Sequence, residues 1–281
     1  MSSFNPLAKR ILVYGLVAGF CLFSALPFLV MAINTFKNDR DLYRPQNNPF
    51  IYNDPPTLDH LQLLFQETNY VRFLWNSFLV GVLVVIITLV IALPAAYSLA
   101  RLVGQWGERA GIGMFLIYLV PPTLLFIPLF RMVVAVGLND SIWSLVLVYP
   151  TISIPFSTWL LMGFFKSIPR DLEEAAMVDG YSRFAAFLKV VLPLSLSGVI
   201  AVIVFTFTLT LHEFIYALAF ISSSDQRTIS VGVPIELIRG DVFFWQSLLA
   251  AAVIVALPVG IVYNFFLDRL IAGFTAGAVK G

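Results

Sequence analysis

The sequence predicts an all-α membrane protein with six transmembrane helices. Hydrophobic residues make up 59% of the 281 and charged residues 12%, outside the range of soluble globular domains. The mean hydropathy of +0.91 agrees. The apolar residues are gathered into six runs, each long enough for the roughly 20 residues that a helix needs to cross a hydrocarbon core. The runs are continuously apolar, whereas barrel strands are about half as long and alternate polar with apolar.

The first run, residues 11–33, follows Lys9 and Arg10 as a signal peptide would. It is too long for an h-region and ends in no Ala-x-Ala-like site, so it reads as a retained anchor. The one cysteine, Cys21, lies inside it, which excludes a disulfide framework and a CxxC metal site; it reads as inert packing. Gly15-x-x-x-Gly19 puts two small residues on one face. Either this lets another helix approach closely, or it reflects how common Gly is in membrane helices.

A polar connection over residues 37–72 comes next. Its stretch "YRPQNNPFIYNDPP" sets Pro45, Pro49, Pro55 and Pro56 among Asn and Asp, which predicts a structured or semi-structured external loop. His60, in this loop, reads as solvated. The other runs cover residues 75–100, 111–134, 141–165, 194–221 and 247–270. Pro27, Pro94, Pro121, Pro122, Pro128, Pro150, Pro155 and Pro258 fall inside runs, where they interrupt the backbone ladder. With an inside N-terminus, the inner segments hold Lys9, Arg10, Arg101, Arg109, Lys166, Arg170, Arg183, Lys189, Arg269 and Lys280. The outer ones hold Lys37, Arg40, Arg44, Arg72, Arg131, Arg227 and Arg239. This excess places both termini in the cytoplasm.

The acidic island "EEAAMVDG" stands out between the fourth and fifth runs. Pro169 opens a helix there, Asp171 and Glu174 have the form of a capping box, and Asp171, Glu173 and Glu174 suit the positive end of its dipole. Leu172, Ala175 and Ala176 form a narrow apolar face. Gly180 stops the helix at a left-handed corner, and Ser182 caps a second segment. In that segment Phe184, Phe187, Leu188 and Val191 recur at helical spacing before Leu192-Pro193. A short helix, a glycine corner and an amphipathic helix make an element shaped for a partner's groove.

Other chemistries find no support. Net charge is +1 with no basic run, so no nucleic acid is expected. No lysine sits in a GxxxxGK[ST] loop, so the chain cannot hydrolyse ATP alone, and no His/Cys/Asp/Glu ligand cluster is present. His212 and Glu213 lie within the fifth run, where an ionisable residue is costly. Either they mark a pathway or inward-facing pair, or Glu213 sits near the external end beside a partner subunit or water.

The pattern Glu174-Ala175-Ala176, Gly180, Val190 and Leu192-Pro193 resembles the EAA loop of membrane subunits of binding-protein-dependent ABC importers, with Val190 where the family usually has Ile. "NSFLVGVLVVIITLVIALPAAYSLAR" is similar to the second span of sugar permeases. "HEFIYAL" resembles their "NEFIYAL" with His212 for Asn, and the tail "GFTAGAVKG" resembles that of the maltose-type subunit. The resemblance runs from Asn76 onward and is weaker before it.

It implies a type I ABC importer permease fold, with residues 1–71 as first helix and long extracytoplasmic loop, 72–270 as permease core with coupling loop 169–193, and 271–281 as cytoplasmic tail. It implies a bacterial inner-membrane protein that is no enzyme and binds no cofactor, ATP and Mg belonging to a partner. The implied partners are a second permease, two ATPase subunits, an extracytoplasmic sugar-binding protein and lipid. Asp171, Glu173, Glu174, Ala175, Ala176, Asp179, Gly180, Leu192 and Pro193 are then the coupling residues. Glu213, His212, Tyr149 and Pro150 are candidates for the translocation path. A non-sugar solute, or an ion-coupled secondary transporter using Glu213, stays as an alternative.

Overall fold

The computed structural model describes residues 6–278, so Lys280 of the expected tail lies outside the described residues. In chain order the helices are α1 (Pro6–Thr35), α2 (Asp39–Tyr43), α3 (Asp59–Gln66), α4 (Tyr70–Tyr97), α5 (Gln105–Tyr118), α6 (Phe126–Ala135) and α7 (Ile142–Ser167). Then come α8 (Arg170–Val178), α9 (Arg183–Ala186), α10 (Leu192–Leu194), α11 (Leu196–His212), α12 (Ile215–Phe220), α13 (Ile229–Leu237) and α14 (Trp245–Ala278). The antiparallel strands β1 (Ile238–Arg239) and β2 (Val242–Phe243) precede α14. The chain divides into two units: residues up to Thr68 with Pro234–Pro258, and Asn69–Val233 with the residues from Val259 on.

In the first unit, the long loop folds on a buried charge. Lys37 Nζ lies 3.6 Å from Asp41, both side chains enclosed, and donates to the Asn48 carbonyl at 2.9 Å. The Asp41 carboxylate accepts from the side chains of Asn47 (2.9 Å) and Asn53 (2.8 Å) and from the Asn53 backbone (3.0 Å). Asn38 starts α2 by accepting from the Asp41 N–H. These Asn residues, which read as turn formers in sequence, are the ligands of an organised loop. His60 is not solvated: it sits on α3 with its side chain 12% exposed and Nε2 3.9 Å from Asp39. Gln246 donates to Asp39 and Ser247 to the His60 carbonyl, so the start of α14 is tied to the loop.

In the second unit, α4 packs against α7 and α11, and α5 against α7. Small residues set these approaches. A Cβ at Gly81 would lie 2.7 Å from the Phe207 ring, and one at Gly198 2.5 Å from the Phe164 ring. Thr88 and Ser153 share a buried hydrogen bond of 2.7 Å between α4 and α7, which satisfies two hydroxyls away from water.

Among the described residues, four helices are long and apolar enough to cross a membrane, over Lys9–Thr35, Tyr70–Leu102, Ile142–Ser167 and Trp245–Leu267. The third run is bent where its prolines stand, and the amphipathic segment before the fifth run is bent from it. Gln105–Tyr118 meets Pro122–Ala135 at 85°, and Arg183–Leu194 meets Leu196–His212 at 75°, giving up to six spans if each bent pair is one. At Pro121-Pro122 two successive residues lack N–H donors, which ends α5. Pro27, Pro94, Pro150, Pro155 and Pro258 by contrast stay inside continuous helices. The other end of the fifth run breaks at Glu213, so α11 stops at His212 rather than running on to residue 221.

Candidate functional site

The acidic island forms α8 and its flanks. Pro169, with ψ 133°, stands outside the helix as its N-cap, so α8 starts at Arg170 and Asp171 is its second residue. The capping box expected from Asp171 and Glu174 is therefore absent, although Asp171 and Glu173 still lie in the first turn, where the helix dipole favours them. The apolar face expected from Leu172, Ala175 and Ala176 is split. Ala176 is buried while Leu172 and Ala175 face outward.

Glu173 takes the inward position three residues before Ala176. The Tyr97 hydroxyl donates to its Oε1, and Arg101 Nε lies 3.2 Å from its Oε2. Arg101 Nη2 also donates to the Ile168 carbonyl at 2.7 Å, at the end of α7. The Arg101 and Glu173 side chains are 6% and 7% exposed, a burial in which either charge alone would be costly. Tyr97 is held by the Phe187 ring at 4.6 Å. Glu174 and Asp179 are exposed.

Gly180 has φ +91°, and the Gly180 and Tyr181 N–H groups donate to the carbonyls of Met177 and Ala176, both at 3.1 Å. These are the two bonds of a Schellman C-cap. Nothing lies within 4 Å of a Cβ placed there, so the demand for glycine is conformational. Ser182 accepts from the Ala185 N–H at 3.2 Å, as its position after the corner implies. The second segment is α9 followed by a π-helical turn, Phe187–Val191. Phe187 and Val191 are buried, whereas Phe184 and Leu188 are exposed. Leu192 packs against the core and Pro193 is exposed. Leu172, Val178, Tyr181, Phe184 and Leu188 are thus large apolar side chains left at the surface around one corner.

Glu213 makes a separate node. With ψ 125° it leaves the helix, and its Oε1 accepts from the Tyr216 N–H (3.0 Å) and its Oε2 from the Ala217 N–H (3.2 Å), so it caps α12. The buried Tyr149 hydroxyl donates to Oε2 at 2.7 Å, and Ser230 donates to the Glu213 carbonyl at 2.7 Å. The Tyr216 hydroxyl donates to the Pro122 carbonyl, which joins the two helix breaks. Tyr149 and Glu213 therefore meet, and Pro150 is buried beside Tyr149 in α7, but His212 is exposed at the end of α11. Tyr97 and Tyr216 were not among the residues singled out in the sequence, and Arg101 was named only as one of the inner positive charges. The available signal was Tyr97 and Arg101 four apart at the end of an apolar run, facing an acidic loop with no other stated partner.

Residues 92–275 match the family described as binding-protein-dependent transport system inner membrane component. The chain belongs to this family. It is therefore a transport permease and not an enzyme. The permease is 39% identical over 227 residues to the sulfoquinovosyl glycerol transport system permease protein SmoH of Agrobacterium fabrum, covering 80% of this chain and 79% of that one. It is 30% identical over 281 residues to the trehalose/maltose transport system permease protein MalG of Thermococcus litoralis, covering 98% of each. Among solved structures, a bacterial ABC transporter involved in the import of the acidic polysaccharide alginate matches with TM-score 0.79. Identity there is 17%, over 96% of this chain and 100% of that one, so the fold is what the two share.

Proposed function

We propose that this permease is one of two non-identical membrane subunits of an ATP-driven sugar importer, and that loop 169–193 couples it to a separate ATPase. The observation that carries the coupling role is the helix, glycine corner and second helix with Leu172, Val178 and Phe184 exposed around them. An apolar surface of this kind beside exposed Glu174 and Asp179 fits a groove on a protein partner. A sugar cargo is supported by relatives named for sulfoquinovosyl glycerol and for trehalose or maltose transport.

In this reading two ATPase subunits, which hold ATP and Mg, close on the cytoplasmic loops. Their closure moves α8 and exchanges an inward-open for an outward-open cavity between the two permeases, while an extracytoplasmic binding protein delivers the sugar. Both termini lie in the cytoplasm of a bacterial cell with the protein in its inner membrane. Glu213 with Tyr149 serves the path by holding the break between α11 and α12. Purification of the tagged permease from its own membranes tests the assembly. An ATPase and a second permease should come with it, and uptake of sugar into vesicles holding the complex should require ATP. Solitary purification with ATP-independent uptake would overturn the reading.

A further inference from the structure

Glu173 and Glu174 are neighbours with opposite fates, one enclosed and one exposed. The joints on either side of α8 are not helical: Ile168 and Pro169 are extended, and Gly180 turns the chain at φ +91°. A displacement of α8 is poorly passed on through such backbone. Side chains make the stiffer link. Arg101 grips both sides of the first joint, through Glu173 of α8 and the Ile168 carbonyl after α7, and Tyr97 adds a second bond to Glu173. Arg101 lies in the π-helical turn Ser98–Leu102 that ends α4, an irregularity often found at working parts of helices.

The other end of α4 is gripped as well. Asn76 donates to the carbonyls of Asp225 (2.8 Å) and Arg227 (2.9 Å), and Ser77 accepts from the Ile229 N–H at 2.8 Å. From Ser77 to Arg101 a helix rises about 36 Å, enough to cross a hydrocarbon core of about 30 Å. One helix, long and apolar enough to span a membrane, thus connects loop 169–193 with the loop before α13.

We infer that Glu173, Arg101 and Tyr97 form a strut that delivers movement of α8 to α4, and that α4 carries it across the membrane to the loop at residues 225–229. Glu173 is then a positioning residue and not a contact for the ATPase. The inference rests on the coupling reading of loop 169–193 and deepens it.

The test is the number of sugar molecules taken up per ATP hydrolysed by the whole complex in proteoliposomes, with subunit stoichiometry measured on the same samples. Glu173→Gln keeps the shape and removes the charge, and should lower the ratio about tenfold by breaking the buried ion pair with Arg101. Tyr97→Phe removes one donor and nothing else, and should lower it in the same direction by less. Arg101→Gln removes the link to the Ile168 carbonyl as well as the one to Glu173, and should lower the ratio at least as far as Glu173→Gln does. A wild-type ratio in Tyr97→Phe and Glu173→Gln, or loss of the ATPase from Glu173→Gln complexes that still insert, would overturn the strut. If Glu173→Gln does not insert, Tyr97→Phe alone decides. Gly180→Val run alongside separates the two claims: a lowered ratio there with none in the strut variants sinks only the strut, and no effect in either sinks the coupling reading too.

Discussion

The Tyr149 hydroxyl donates to Glu213 Oε2 at 2.7 Å, and the same carboxylate caps α12 through the N–H groups of Tyr216 and Ala217. An acid that looks out of place in an apolar run is thus held by three donors, and its function at this point is to end one helix and start another.

A cap is distinguished from a proton carrier by substitution. Glu213→Ala removes every one of these acceptors and should cost on the order of 1–2 kcal/mol, beside leaving the Tyr149 hydroxyl without its acceptor. Glu213→Gln retains one oxygen and should cost less. Thermal stability of the purified complex measures the order. Uptake in proteoliposomes should depend on ATP and be indifferent to a proton gradient; gradient-driven uptake without ATP would favour an ion-coupled secondary transporter over an ATP-driven one.

The loop built on Asp41 should weaken in acid. Burial pushes the Asp41 carboxyl up, but hydrogen bonds from the Asn53 side chain and backbone, the Asn47 side chain and the Asp54 backbone outweigh it and bring the pKa from 3.8 to about 2. A folded value below the unfolded one means that the stabilisation is complete above pH 3.8 and is lost as pH falls through about 2. Hydrogen exchange at the Asn53 amide, corrected for its intrinsic rate, should rise over that window. In Asp41→Asn the amide should exchange fast at neutral pH too, because the Asn53 N–H loses its carboxylate acceptor.

Orientation is tested by labelling in a Cys21→Ser background. Gln46 and Gln105 are exposed, the first in the long loop and the second at the start of α5. A membrane-impermeant maleimide added to spheroplasts should label Gln46→Cys at once and Gln105→Cys only after permeabilisation. The reverse pattern would place the termini outside.

Local signals carried much of this architecture. Gly180 announced its corner because only a left-handed residue ends α8 there, and Ser182 its cap, since each acts within a few residues of itself. The capping box misled because Pro169 holds the cap position two residues before Asp171. The break at Pro121-Pro122 was marked by its two prolines, whereas the one at Glu213 was obscured by continuous hydropathy, which measures burial and not backbone path. The bond from Tyr97 and Arg101 to Glu173 spans more than seventy residues of chain, and no local pattern encodes which of two adjacent glutamates turns inward. The long loop was readable as structured, but that its asparagines converge on one aspartate depends on three-dimensional closure.

The most direct measurement of coupling is made at Gly180. A β-branched side chain there meets the penalty of a left-handed backbone, about 1–2 kcal/mol, and re-aims α8 while leaving the spans alone. Sugar uptake and ATP hydrolysis are followed in the same proteoliposomes for wild type and Gly180→Val, with the ATPase content of each complex determined. We expect Gly180→Val to insert normally and either to lose ATPase or to hydrolyse ATP with little uptake. Normal assembly, hydrolysis and uptake together in Gly180→Val would contradict the role assigned to loop 169–193.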